Sequence, residues 1–305
     1  MSIEISKLID QAQNEYDQEN YRQAADLLAE VYQEESSLQV NHSLVLALQK
    51  DQQFQLAKDY ANDHINDYLQ DTDLFTLYLD LLLATQNFVL AQQWVLQGPE
   101  DLDRETELGK IRAAENEAIA NQGQTIAVIE KQFYHLSDED WSGQQDRYQQ
   151  GFHLPVASFT TGAKFLLVDP FATPLMRATL MADLQQLGED GSTTYQWLDG
   201  NRYQVDFQAT APVFASKTFT DLVGALDDLV GQEDPVAYQA LFDQLRLEAM
   251  LVFPRLSEGI PDPEAWVDVD LANFYQDQKP DEEPDQKQVH DLVQKAFIEL
   301  AQQQL

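Results

Sequence analysis

Near its start the chain sets apolar residues four apart. Leu8, Ala12 and Tyr16 share one helical face, the polar run Gln18-Glu19-Asn20 interrupts it, and Ala24, Leu28 and Val31 resume it. Side chains of this polar kind compete for backbone hydrogen bonds, so the interruption predicts a turn between two short helices. The arrangement then returns twice. Tyr21, Phe54 and Phe88 stand 33 and 34 residues apart, and Ala24, Ala57 and Ala91 repeat that spacing, as do Ala12, Val45 and Leu79. A small residue at the recurring Ala lets the second helix lie close to the first, while the aromatic three positions earlier fills the space beside the turn. A larger side chain at Ala57 overpacks such a crossing, at a cost of about 1–3 kcal/mol. A weaker pair follows, Arg104 to Asn121 and Thr125 to Tyr134, separated at Gly123.

These residues resemble the tetratricopeptide (TPR) family, whose unit is a helix-turn-helix with an aromatic at the turn followed by an Ala. The resemblance covers about residues 4 to 98, with Ala12, Val45 and Leu79 standing where the family usually has Gly. It implies a mainly α fold: a TPR-like right-handed α-solenoid over residues 1–135, with function residing in the concave face lined by the first helix of each unit. By alignment to the repeat, the candidate groove residues are Gln13 and Tyr16, then His42, Leu46 and Gln49, then Thr76, Asp80 and Leu83. A non-catalytic scaffold or adaptor holding a protein or peptide is the implied role. TPR domains that clamp a partner's C-terminal carboxylate use clustered Lys and Arg, and here only Lys50 lies nearby.

Apolar rhythm fades over residues 136–151, where a hinge or domain boundary is expected. A helical domain over 152–258 follows, with helices expected at Leu154 to Val168, from Pro174 to Gly188, at Thr218 to Leu229 and at Pro235 to Phe253. The stretch DPFATPLMRATLMADLQQLG resembles a helix that follows the repeats in some bacterial TPR proteins without an assigned activity. Between these helices, residues 193–208 alternate as a β-hairpin. A three-residue loop Asp199-Gly200-Asn201 pairs Trp197 with Tyr203, Tyr195 with Val205 and Thr193 with Phe207, placing the large apolar residues on one face with Asn201 in the left-handed position. Residues 259–284, rich in Asp, Glu and Pro, read as an extended acidic strap. Over 285–305, Val289, Leu292, Val293, Ala296, Phe297 and Leu300 form an amphipathic helix whose stripe either caps this chain or docks on a second copy as a homodimer.

Charge narrows the function. With 18 Lys+Arg against 53 Asp+Glu the net charge is −35, which disfavours nucleic acid and anionic membrane surfaces. It either steers basic partners or simply keeps the chain in solution. A chaperone-like holder of a basic client is the corresponding alternative role. The absence of Cys excludes disulfides, thiolate metal sites and Cys nucleophiles. The opening MSIEISKLID lacks a signal-peptide pattern and no apolar run is long enough to span a bilayer, so a cytoplasmic location is expected. His42, His64, His135, His153 and His290 show no ligand spacing, and Thr160-Thr161-Gly162-Ala163-Lys164 lacks the glycine and hydroxyl of a phosphate loop. Neither metal nor cofactor is expected. The remaining enzymatic reading is a divalent ion held by Asp262, Glu264, Asp268 and Asp270, whose spacing is not that of a calcium loop.

Overall fold

A computed structural model describes residues 3–231, 234–278 and 280–303. The chain is mainly helical with one two-stranded sheet among the described residues. It divides into two compact units. The first comprises Met1–Ala127 with Phe152–Val156, the second Val128–Gly151 with Ala157–Leu305.

In the first unit the helices are α1 (Ile3–Asp17), α2 (Tyr21–Glu34), α3 (Leu38–Lys50), α4 (Phe54–Asn62), the short α5 (Ile65–Gln70), α6 (Thr72–Ala84), α7 (Phe88–Gln97) and the beginning of α8 (Arg104–Tyr134). Successive helices pack on one another, α1 on α2, α2 on α3, α3 on α4, α4 on α6 and α6 on α7. One turn geometry occurs three times. Glu19, Gln52 and Gln86 adopt left-handed φ values of 63°, 61° and 58°. The amides of the next residues, Asn20, Gln53 and Asn87, reach back five positions to the carbonyls of Glu15, Leu48 and Leu82 at 2.9, 2.9 and 2.8 Å. This closes each first helix with a left-handed cap and aims the chain into the second. Ala24, Ala57 and Ala91 then lie at 0% exposure, one turn inside each second helix. Any side chain beyond a methyl there would meet the facing helix.

α8 is two helices run together across a kink, and its one non-helical residue, Gln122 (φ −133°, ψ 24°), stands beside Gly123, where the sequence places the break. Residues 136–151 are helical for most of their length. A 3-10 turn over Leu136–Asp138 leads to α9 (Trp141–Gly151), whose start is capped by the Asp140 carboxylate accepting the Gly143 amide at 2.9 Å. The buried residues of α9 are Gln144 and Gly151 rather than aliphatics, which is why the segment shows no apolar rhythm.

The second unit continues with α10 (Val156–Leu166), α11 (Pro174–Gln186), β1 (Ser192–Gln196), β2 (Arg202–Asp206), α12 (Lys217–Leu229), α13 (Pro235–Val252), α14 (Leu256–Gly259), α15 (Pro263–Tyr275) and α16 (Pro284–Gln303). Phe133 is fully buried between two helical glycines. A Cβ on Gly151 would lie 2.8 Å from its ring, and one on Gly162 would lie 2.7 Å away. Phe159 stacks on the same ring at 5.0 Å.

The hairpin forms, but two residues out of the expected register. Tyr195 faces Tyr203 and Thr193 faces Val205. The loop is Leu198-Asp199-Gly200, closed by the Gly200 amide on the Trp197 carbonyl at 2.9 Å, and Gly200, not Asn201, takes the left-handed position at φ 80°. Glycine adopts that conformation without a Cβ penalty, so it wins over Asn. A slip of two preserves which face each side chain occupies, and Tyr195, Trp197, Val205 and Phe207 are all buried as expected.

The extended acidic strap is overturned. Thirteen of its residues form α15, with Asp262 as N-cap accepting the Ala265 amide at 3.1 Å and Pro263 in the first turn. Pro at that position starts a helix instead of breaking one, since its missing N–H has no helical partner to lose. Trp266, Val267 and Asp270 turn inward and Gln276, with left-handed φ 58°, ends the helix. The apolar stripe of α16 is also settled. Val289, Val293, Ala296 and Leu300 are buried, and the helix packs in cis on α13 and α14, so of the two alternatives the stripe takes the one within this chain.

Candidate functional site

The eight expected groove residues lie on the first helix of each pair: Gln13 and Tyr16 on α1, His42, Leu46 and Gln49 on α3, and Thr76, Asp80 and Leu83 on α6. Gln13 and Asp80 are exposed, and the other six are half-buried. Tyr16, Gln49 and Leu83 occupy equivalent places. The carbonyl of each accepts the amide of the left-handed turn residue at 3.0 Å, which fixes these positions relative to the turn. Their side-chain contacts are local. Gln13 Nε2 donates to Asp17 at 2.9 Å, Tyr16 meets Tyr21 edge-on at 5.2 Å, and Thr76 Oγ1 donates back to the Thr72 carbonyl at 2.9 Å. Partial desolvation pushes the Asp80 carboxyl up, with Lys110 opposing it and Glu107 adding to it. Polar and apolar side chains are mixed among these eight residues.

The second unit holds a different constellation, built from α13, α15, α16 and the segment before α16. Glu248, Asp270 and His290 are 0%, 1% and 4% exposed. Ligand-capable atoms of these three side chains all lie within 4.8 Å of one another. His290 Nε2 is 3.1 Å from Asp270 Oδ1 and its Nδ1 is 3.3 Å from Glu282 Oε1. The imidazole stacks on the indole of Trp266 at 4.1 Å and 15°. Trp266 Nε1 donates to Glu248 Oε2 at 2.7 Å, and Gln244 Nε2 bridges Glu248 Oε1 at 2.8 Å and Asp270 Oδ1 at 3.0 Å. Gln286, one turn before His290, donates to Glu282 Oε1 at 3.0 Å and closes against the N-cap of α15 by accepting the Asp262 amide at 2.9 Å. One acceptor is left over. Asp270 Oδ2 is buried with no hydrogen-bond partner other than the Glu248 carboxyl when that carries its proton.

Electrostatics follow from this crowding. Burial, and then the neighbouring Asp270 charge, push the Glu248 carboxyl far above the ordinary carboxylate range. Burial acts against the charged imidazole of His290. The hydrogen bonds and charges of Asp270 and Glu282 outweigh it, and the net shift is upward. Three carboxyl groups thus face one imidazole in a largely buried region, and a charge there needs a compensating partner.

Of the acidic set read from the sequence, only Asp270 enters this cluster. Asp262 is spent as a helix cap, Glu264 is exposed and Asp268 is half-buried, so the four-carboxylate cation site of the alternative enzymatic reading does not assemble. Glu248, Glu282 and Gln286 were not singled out, and His290 was set aside with the other histidines for want of ligand spacing. A signal existed. Glu248 falls on the stripe of Leu241, Leu245, Ala249 and Val252, and His290 on the stripe of Val289 and Val293, so each is an ionisable residue placed where the helical period calls for an apolar one. The chain matches no family model, and no curated protein or solved structure is significantly similar to it. No helix among the described residues is long and apolar enough to cross a membrane.

Proposed function

We propose that this protein is a non-catalytic, TPR-like scaffold of the cytoplasm whose first unit is a right-handed solenoid that receives a protein or peptide partner on the face of α1, α3 and α6. One observation carries the reading. The same left-handed turn and the same buried Ala recur at spacings of 33 and 34 residues, so α1, α3 and α6 present equivalent positions. Repetition of one brick is how a stacked array of helix pairs generates an extended binding surface. The candidate contacts are Gln13, Tyr16, His42, Leu46, Gln49, Thr76, Asp80 and Leu83. Gln13 and Asp80 are the ones to alter first, because they are exposed and their replacement leaves the core intact.

The experiment compares proteins retained by the wild-type chain and by a Gln13→Lys/Asp80→Lys variant, each at low and high salt. A defined partner should be retained by the wild type, lost with the variant and weakened by salt, as charge steering requires. Retention of the same proteins by both chains overturns the assignment of this face. The net charge of −35 favours a second reading, a holder of a basic client. That reading predicts suppressed aggregation of basic proteins at low salt, whereas a scaffold leaves aggregation unaffected.

A further inference from the structure

We propose that Glu248, Asp270 and His290 form a binding site for one divalent first-row transition-metal ion, which locks the C-terminal helix α16 to α13 and α15. The donors come from three helices far apart in sequence, so only the folded second unit assembles them. Atoms bound to a common zinc-sized ion at 2.0–2.2 Å lie about 3–3.5 Å from each other, and His290 Nε2 and Asp270 Oδ1 are 3.1 Å apart. Asp270 Oδ2 supplies the independent sign. It is a buried carboxylate oxygen in a side chain that is 1% exposed, the one donor within its reach is the protonated Glu248 carboxyl, and a cation can take the place of that proton. Both oxygens of Glu248 already accept one hydrogen bond, from Trp266 and from Gln244, and each retains a lone pair for a ligand bond.

The surroundings match a metal centre in three further ways. Glu282 accepts from His290 Nδ1, so that Nε2, once an ion displaces its proton, presents its lone pair beside the carboxylates, and a carboxylate behind a ligating imidazole is the usual means of orienting it. Imidazole among the donors selects a transition ion over calcium or magnesium, which take oxygen ligands. A small cavity of about 140 Å³ lined by Glu282, Asn273, Lys287, His290 and Gln294 brings the surface as far as the imidazole. Burial of all three donors makes this a closed, structural centre, not a catalytic one with an open position. Protons compete for the same lone pairs, so acid weakens binding.

The test uses the full chain, stripped with a chelator, and adds zinc or manganese ions, with magnesium at equal concentration as the comparison. Expected are one tightly held zinc or manganese ion per chain by elemental analysis, a rise of several degrees in the melting temperature that magnesium does not reproduce, and weaker binding at lower pH. Glu248→Gln/Asp270→Asn should keep the helical circular-dichroism signal, bind the ion at least tenfold more weakly and lose the rise. If the double variant does not fold, His290→Gln, which keeps the size and hydrogen bonding of the side chain, is read in its place. Failure of both ions to bind at one per chain, or equal binding by wild type and variant through the many surface carboxylates, overturns the proposal.

Discussion

The crossings of α1 with α2 and of α6 with α7 are sealed by alanines, whereas the junction of α13, α15 and α16 is sealed by a tryptophan, a histidine and two carboxylates. In the first unit, the buried polar groups Asn41 and Glu107 belong to small, separate sets. Asn41 donates to the Tyr60 carbonyl at 2.8 Å and accepts from the Tyr68 hydroxyl at 3.1 Å, and Glu107 pairs with Lys110 one turn away at 2.9 Å. In the second unit the buried polar groups find one another, across separations of 18 to 26 residues. An alanine seal is insensitive to pH and ions but intolerant of volume. A charged seal tolerates little loss of any partner and responds to whatever titrates or binds it.

The largest expected effect is at Trp266, the biggest fully buried side chain. Trp266→Ala should cost about 3–5 kcal/mol from the cavity alone, and it also removes the indole bond to Glu248 and the face on which His290 stacks. Hydrogen exchange reads the outcome by region. Protection should fall in α13, α15 and α16 and persist in α2 to α7. Equal loss in both units would mean that they unfold together and that the contrast between the two seals has no thermodynamic content.

Ala57→Leu makes the reciprocal case. Ala57 has no exposed surface, and forcing a branched side chain into the α3–α4 crossing should cost about 1–3 kcal/mol, seen as a lowered denaturant midpoint and lost protection around α3 and α4. A neutral result would show that the repeated alanine is a sequence habit and not a packing requirement.

The third effect is a dependence on pH. Glu248 and His290 both have folded-state values above their ordinary ones, 4.5 and 6.5. The native state therefore holds protons that the unfolded chain releases. Stability linked to Glu248 falls as pH rises past 4.5, and that linked to His290 falls as pH rises past 6.5, with a slope of up to about 1.4 kcal/mol per pH unit for each extra bound proton. The general charge of −35 produces a loss of the same sign. Glu248→Gln separates the two. Measured metal-free, the variant should gain on the wild type progressively as pH rises from 5 to 8, and parallel curves would contradict the buried-carboxylate account.

How much of this was readable in advance follows from the same contrast. Tyr21, Phe54 and Phe88 with Ala24, Ala57 and Ala91 announce their turns because one geometric need recurs with one residue type. The hairpin face was legible from alternation, since parity survives a shift of two, but its register depended on Gly200 outcompeting Asn201 for the left-handed position. α15 was hidden by prolines that begin it, and α9 by glycine and glutamine doing the packing. Of the polar cluster, Glu248 and His290 could be seen only as misfits on apolar stripes. That they meet Asp270 is a fact of tertiary structure, because no spacing along a chain encodes the approach of three separate helices.

The smallest effect probes the repeats most directly. Glu19, Gln52 and Gln86 carry side chains at left-handed φ values near 60°, a conformation that costs a residue with a Cβ about 1–2 kcal/mol. Glycine escapes that cost but loses more backbone freedom on folding, about 0.5–1 kcal/mol. The balance favours Gln52→Gly by somewhat under about 1 kcal/mol. Glu19→Gly and Gln86→Gly should give the same gain, because their amides and those of the following residues make matching bonds. The three sites share no partner, so a triple variant should show roughly the sum. Equal increments in denaturant midpoint would establish the turns as thermodynamic copies. A gain at one position and a loss at another would reveal turns that are alike in shape but held by different surroundings, and would remove the equivalence on which the proposed binding face depends.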